Sequence, residues 1–423
     1  MRITILTAGT RGDTQPYVAL GAGLQQAGYQ VRLVAGKNFE SFVTQYGLEF
    51  FPLHLDFSAM MNSEEAQAVL NANNPIKMLM LQAKATQTVN RMMGQTQNEI
   101  WIASQGADAI LYSPGMPNGY FIAKQLGIPC IALNAVPMTP TRTQPAAFFY
   151  DGPRLGSAYN LLTHTILEQL FWQSFRPAIQ KFWHEKAKTV SIPFAAPYRR
   201  QRAERLPILY GYSEAVLPRP ADWPDYAFIT GYWFAEEEPN WSPPTELVNF
   251  LQAGPPPVYI GFGSMGNPRK GSEVTEILVK ALKLSGQRGL LATGWNGLSQ
   301  EVQLPDTVFM VESVPHTWLF PQVSAVVHHG GAGTTAAGLS AGVPSIIVPH
   351  SVDQPMWGQC VAELGVGPPP IPRKELTAER LAQSITATKD KAIRIGAAAL
   401  GQKICAEDGV TKAVEVLEKL LHP

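Results

Sequence analysis

The chain has 423 residues, too many for one ordinary core, and at roughly 150 residues per domain it predicts two to three domains, of which two is the simplest arrangement. Lys plus Arg equals Asp plus Glu at 33 each, so no global field recruits nucleic acid or an anionic membrane. With 16% charged and 45% hydrophobic residues the composition excludes a disordered chain, and Cys130, Cys360 and Cys405 have neither metal nor redox spacing, which predicts free thiols and no disulfide.

The opening MRITILTAGTRGD is neither a signal peptide nor a membrane span, and no later stretch reaches spanning length, so a soluble, cytoplasmic protein is expected. Residues 2–8 read as a strand, Pro16 to Gly28 as a helix, and 30–35 as the next strand. The alternation continues with a helix near 38–46, a strand near 48–53, a helical region near 75–104, and strands near 108–112 and 128–133. Between about 140 and 200 the rhythm breaks into an aromatic-rich region holding Phe148, Phe149, Tyr150, Phe171, Trp172, Phe175, Phe182 and Trp183. That region reads equally as the wall or lid of an apolar pocket and as an amphipathic helix packed on its own domain.

The stretch WFAEEEPNWSPP, residues 233–244, reads as an interdomain linker. A second alternating series follows, with strands near 258–262, 288–293, 307–311, 323–328 and 343–348. The predicted fold class is therefore α/β, with two Rossmann-like doubly wound parallel-sheet domains at 1–232 and 245–390 facing across a cleft. A helical tail, 391–423, is expected to pack back toward the first domain.

The sharpest pattern runs from Val326 to Pro355 as strand, glycine loop, helix, strand and loop. Gly330, Gly331 and Gly333 allow close backbone approach, Thr334 and Thr335 add hydroxyls at a helix start, and unpaired helix amides favour a diphosphate. No Gly-Lys-Ser/Thr ending and no GxGxxG after the first strand are present, which weighs against ATP hydrolysis and hydride transfer. His329, just before the glycines, can donate to a phosphate oxygen; taken alone it reads first as a structural histidine. A second loop, YIGFGSM, places Gly261, Gly263 and Ser264 on the same sheet edge, where a tight turn is the plain alternative.

Asp13 follows the first strand and can act as a general base or as a cap for the helix at Pro16, a role open to Thr14 as well. Asp353 and Gln354 can be turn residues before a helix. No Asp-x-Asp pair or His/Cys cluster has metal spacing, so no metal is expected, and helix amides with His329 must stabilise a leaving diphosphate.

Four segments together, GTRGDTQPYVALG at 9–21, GFGSM at 261–265, VPHTWLFPQ at 314–322 and HHGGAGTTAAGLSAGVPSIIVPHSVDQ at 328–354, resemble the GT-B sugar transferases. That family includes sterol glucosyltransferases, glycopeptide-antibiotic glycosyltransferases and plant UDP-glycosyltransferases, and the resemblance spans nearly the whole chain. The opening is similar to the sterol and antibiotic branches, which carry an aspartate, here Asp13, where plant enzymes carry a catalytic histidine. The resemblance implies that 1–232 binds the acceptor and 245–390 the nucleotide sugar. The segment with Val314 and His316 would contact the nucleobase, although plant enzymes begin that segment with a tryptophan. Ser264, His329 and the loop through Gly331, Gly333, Thr334 and Thr335 would hold the diphosphate, and Asp353 with Gln354 the sugar hydroxyls.

The function so implied is metal-independent, inverting transfer of a hexose, glucose first, from a nucleotide diphosphate sugar to a hydroxyl of an apolar small molecule such as a sterol or polyphenol. UDP-glucose would be a co-substrate, with no further cofactor, although antibiotic enzymes share the pattern and use dTDP sugars. A monomer is expected, with no nucleic-acid partner. The aromatic segment could double as an interfacial patch for peripheral membrane contact, although no basic face is evident. A sugar-nucleotide epimerase of the same architecture is the rival, but it needs several carboxylates and the motif loops hold only Asp13 and Asp353. A sugar-nucleotide-binding protein without chemistry is the other, and Asp13 and His329 stand against it.

Overall fold

The computed structural model describes residues 1–55, 93–187, 190–235, 241–263, 271–293, 302–350 and 352–422. Ser264, much of the helical region expected near 75–104, and the acidic run of the expected linker lie outside the described residues.

The first sheet is built from β1 (Arg2–Leu6), β2 (Gln30–Gly36), β3 (Glu49–Leu53), β4 (Ala109–Tyr112), β5 (Cys130–Asn134), β6 (Ile208–Tyr210) and β7 (Ala227–Ile229). Its order is β3-β2-β1-β4-β5-β6-β7, parallel throughout, with Ile3 beside Val31 on one side and Ala109 on the other. Short β-branched runs such as ITIL suit strands covered on both faces, and Ile3, Ile5 and Leu6 are fully buried. The second sheet joins β8 (Val258–Gly261), β9 (Gly289–Ala292), β10 (Val308–Val311), β11 (Ala325–His328) and β12 (Ser345–Ile347) in the order β10-β9-β8-β11-β12, again parallel. Both orders reverse beside their first strand, so each domain has a switch point at the carboxyl ends of two adjacent strands.

Helix α1 (Arg11–Gln26) starts five residues before the expected position at Pro16. The reason is local: Thr10 donates its N–H to Asp13 Oδ2 at 2.8 Å and its hydroxyl to the same oxygen at 3.1 Å, so Asp13 closes the amino end as the third helical residue. Pro16 then lies in the second turn, where it has no N–H to bond back to Gly12. The cap is Thr10, not Thr14 or Asp13.

The aromatic-rich region is helix α2 (Ser157–Lys186), followed by the short α3 (Tyr198–Ala203). Trp172 and Trp183 are fully buried; Trp172 stacks on Phe121 at 5.8 Å, and Trp183 donates its indole N–H to Asn118 Oδ1 at 2.7 Å. These two rings are core, as a helix packed on its own domain requires, whereas Phe148 is 50% exposed. Trp233 and Ala235 are also core, packed with Tyr17 against the first sheet, so the start of the expected linker belongs to the first domain.

Helices α4 (Ala332–Ser340), α5 (Gln354–Glu363), α6 (Lys391–Cys405) and α7 (Gly409–Leu421) complete the site's scaffold. The tail divides: Ala397, Leu400 and Ile404 of α6 pack with α4 and α5, whereas Ala413, Val414, Leu417 and Leu421 of α7 enter the core around α1. The chain crosses at Asp408, which takes φ +45°, and Gly409 lies so close to the Tyr232 carbonyl that no side chain fits there. Each buried leucine of α7 contributes roughly 1.5–3 kcal/mol to joining the domains.

Candidate active site

The loops after β1, β8 and β11 meet in the cleft between the sheets. Gly12 and Gly333 mark the closest approach, since a methyl on Gly333 would stand 3.8 Å from Gly12 Cα. They belong to the first turns of α1 and α4, so two helix amino termini lie side by side in the cleft. Thr10 caps the first, with Asp13 completing its capping box. The second is preceded by Gly331, with no side-chain cap among the described residues, leaving the amides of its first turn for an anion.

Asp13 uses Oδ2 for Thr10, and among the described residues Oδ1 has no protein partner. The carboxyl is open to cleft solvent but ringed by protein from both domains, and this desolvation raises its pKa, with the Thr10 bonds opposing. A methyl on Gly9, whose φ is +146°, would overlap Asp13 Oδ2, so Gly9 must be glycine for the carboxylate to sit where it does.

Two histidines organise the glycine loop. His328, fully buried at the end of β11, accepts the Gly330 N–H at Nδ1 over 3.0 Å, and burial holds its pKa far below the ordinary range. Gly330 has φ +87° and would drive a methyl to 2.6 Å from Ile347 Cγ2, so the loop tolerates no side chain there. His329 lies between Gly263 and Gly331; a methyl on either would stand 3.3 Å from Cε1 or 2.5 Å from Nε2. Burial lowers its pKa to about 4, so the ring is neutral at pH 7, and Nδ1 has no partner among the described residues. A neutral imidazole can donate one hydrogen bond without carrying charge into the loop. Gly331, Gly333 and Thr334 border the cleft, whereas Thr335 is fully buried, its hydroxyl without a partner among the described residues.

Asp353 and Gln354 sit at the start of α5. Trp357 donates its indole N–H to Asp353 Oδ2 at 2.7 Å, and His350 donates its backbone N–H to Gln354 Oε1 at 2.8 Å. Desolvation, with a smaller contribution from Asp13 across the cleft, raises the Asp353 pKa to about 6. The preceding Val352 is held at φ +65°, a strained conformation for a β-branched residue, in the loop that delivers Asp353.

The segment expected to meet a nucleobase is anchored from behind. His316 stacks on Phe320 at 4.3 Å and 14°, with Nε2 3.4 Å from the Tyr259 hydroxyl; burial lowers its pKa to about 4. Val314 is half-buried on the same cluster. His316 therefore shapes this wall as part of an aromatic stack. Sequence reasoning gave no role to His328 or Trp357, although both stand inside the quoted motif or one turn beyond it.

The first domain also holds a cavity of about 60 Å³ between the sheet and α2–α3, with Tyr112, Asn134, Met138, Ile208, Tyr210 and Glu168 in its lining. Tyr112 and Asn134 end β4 and β5, next to the loop that carries Asp13. Glu168 lies opposite Arg202, which bonds it through both guanidinium nitrogens. Among the described residues no group of three or more His, Cys, Asp or Glu is placed to hold a metal, and no helix is long and apolar enough to cross a membrane.

Two parallel-sheet α/β domains with the site in the cleft between them are the GT-B architecture. Two domain families match in tandem: the glycosyltransferase family 28 N-terminal domain over residues 3–145 and the erythromycin biosynthesis protein CIII-like C-terminal domain over residues 291–420. A sterol 3-beta-glucosyltransferase of Arabidopsis thaliana is 35% identical over 428 residues, covering 100% of this chain and 68% of that protein. One of Emericella nidulans is 35% identical over 436 residues, so this chain spans about 30% of that fungal relative's length. The solved glycotransferase of kitacinnamycin shares the fold, with a TM-score of 0.71 at 20% identity over 100% of this chain and 99% of that one. The chain belongs to the glycosyltransferase family that includes the sterol 3-beta-glucosyltransferases.

Proposed function

We propose that this protein transfers glucose, with inversion, from UDP-glucose to a hydroxyl of an apolar acceptor of the sterol or polyphenol class. The carrying observation is the opposition of Asp13 and the uncapped amino terminus of α4 across a gap closed by Gly12 and Gly333. A base on one side and an anion site on the other are what an in-line displacement needs.

Asp13 Oδ1 takes the proton of the acceptor hydroxyl as its oxygen attacks the anomeric carbon. The bond from that carbon to the diphosphate oxygen breaks, and UDP leaves with its charge against the α4 amides and the His329 N–H. Asp353 and Gln354 hold the sugar hydroxyls, each fixed by a bond from behind. Val314 and His316 form the wall of the base pocket. No metal is assigned a step.

The acceptor enters from the α2–α3 side of the first domain, where the cavity lies and a flexible Met138 lines it. Its apolar character favours peripheral contact with a membrane surface. The chain acts as a monomer, and its free thiols suit the cytoplasm.

The test is transfer in EDTA from UDP-glucose and dTDP-glucose to a panel of sterols and phenols, with the anomeric configuration of the product read by NMR. Chelator-resistant β-glucoside formation from UDP-glucose supports the reading. Binding of UDP without transfer or donor hydrolysis would replace it with a binding protein.

A further inference from the structure

The outward face of α2 is a hydrophobic strip that stands exposed among the described residues. Leu155, just before the helix, is 68% exposed; Leu162, Ile166 and Leu170 are 54%, 38% and 61% exposed. The last three recur at four-residue spacing and share one side of the helix. Phe194, 71% exposed, is held against the same side, because Gln169 and Gln173 donate their side-chain amides to its carbonyl at 3.1 and 2.6 Å.

The charge pattern around the strip is as distinctive as its apolar content. From Leu155 to Phe175 the only charged residue is Glu168, and that side chain is buried and bonded to Arg202. About 28 Å of helix surface therefore carries no exposed charge. Cations bracket it: Arg154 at one end, and at the other Arg176, whose guanidinium lies 5.3 Å from the Phe194 ring, with the exposed Lys181 beyond. Between residues 150 and 202 Lys and Arg outnumber Asp and Glu by eight to three, in a chain that is balanced as a whole.

We propose that this face, Leu155, Leu162, Ile166, Leu170 and Phe194 with their bracketing cations, docks on an anionic lipid bilayer. Apolar side chains enter the interface while Arg154, Arg176 and Lys181 meet the headgroups. A second copy of the chain is the poorer occupant, since the strip from Leu155 to Phe175 offers a partner's cations no exposed carboxylate, Asp151 and Glu185 lying beyond its ends. Beneath the strip, α2 supplies Glu168 to the acceptor cavity, and Phe194 is four residues from Tyr198, which also lines it. Docking therefore places the α2–α3 rim at the bilayer, and an apolar acceptor can pass from lipid into the first domain without crossing water. This last step rests on the acceptor reading above; the docking does not.

The experiment is sedimentation of the full chain with phosphatidylcholine vesicles, with and without phosphatidylglycerol, at low and high salt, beside Leu162→Gln/Leu170→Gln/Phe194→Gln. All three side chains are exposed, so the variant is expected to keep its circular dichroism and melting temperature; Phe194→Ser alone serves if it does not. Wild type is expected to bind the anionic vesicles, more weakly in high salt, and the variant at least about tenfold less. Transfer to sterol in vesicles should fall in the variant while transfer to a water-soluble phenol does not. Wild type left in the supernatant with both vesicle types, equal binding to both compositions, or a variant that binds like wild type would overturn the proposal. So would a wild-type dimer that the variant converts to monomer. Binding is read without catalysis, so its failure and that of the transferase reading are separable.

Discussion

The fully buried indole of Trp357 donates to Asp353 Oδ2 at 2.7 Å, tying the carboxylate assigned to the donor sugar to the core shared by both domains. Trp357 also packs edge-on against Tyr212 at 6.2 Å, from the first domain. Trp357→Phe keeps an aromatic ring in that packing and removes the N–H. A hydrogen bond to a charged group is worth about 1.5–3 kcal/mol, so KM for the sugar nucleotide should rise roughly 10- to 100-fold. UDP alone should bind as before, as measured by calorimetry.

The same carboxylate sets an acid limb. Desolvation raises the Asp353 pKa to about 6, so the ionised form that accepts sugar hydroxyls is lost as pH falls through that value. His329, lowered to about 4, stays neutral across the same range and adds no limb there. kcat/KM for the donor should therefore decline below about pH 6, and in Asp353→Asn that limb should be lost, leaving at lower activity only the acid limb of Asp13, whose own pKa burial also raises.

Gly9→Ala places a methyl on the Asp13 carboxylate at a backbone φ of +146°, which L residues rarely adopt. The carboxylate must move by an ångström or more, a displacement that can reduce turnover roughly a hundredfold. Because the diphosphate loops belong to the other domain, UDP affinity should be unchanged. Single-turnover kinetics beside a UDP titration checks both parts.

Leu417→Ala removes a fully buried side chain from the contact between α7 and α1. Cavities of this kind cost about 2–5 kcal/mol, and urea unfolding should show a loss of that size. Gly23 limits repair, since a side chain there would meet Val410 of α7.

Much of this was legible in the sequence because the signals were local. Short apolar runs between glycine-rich turns located β1–β5 and the second sheet, and the glycine loop announced itself through Gly330, Gly331 and Gly333. β6 and β7, three residues each, escaped because they lie between the aromatic-rich region and the expected linker, where the alternating pattern breaks off. The start of α1 was misplaced because Pro16 is a strong helix-start signal, and the capping pair Thr10–Asp13 overrode it. The aromatic residues of α2 could not be assigned from sequence, since a ring that lines a pocket and one that fills a core have the same spacing. Trp172 and Trp183 proved to be core, while the aliphatic face opposite them is the exposed one. His328 was hidden for another reason: its work is one bond to the Gly330 N–H, which only the folded loop displays.

The most direct measurement is transfer from UDP-glucose by Asp13→Asn, read with UDP affinity. The amide keeps the size of the side chain and can still accept from Thr10, but it cannot take a proton. The account predicts that transfer falls by about a hundred- to ten-thousand-fold while UDP binds as in wild type. Transfer at the wild-type rate would contradict Asp13 as the base and, with it, the assignment of the two sides of the cleft.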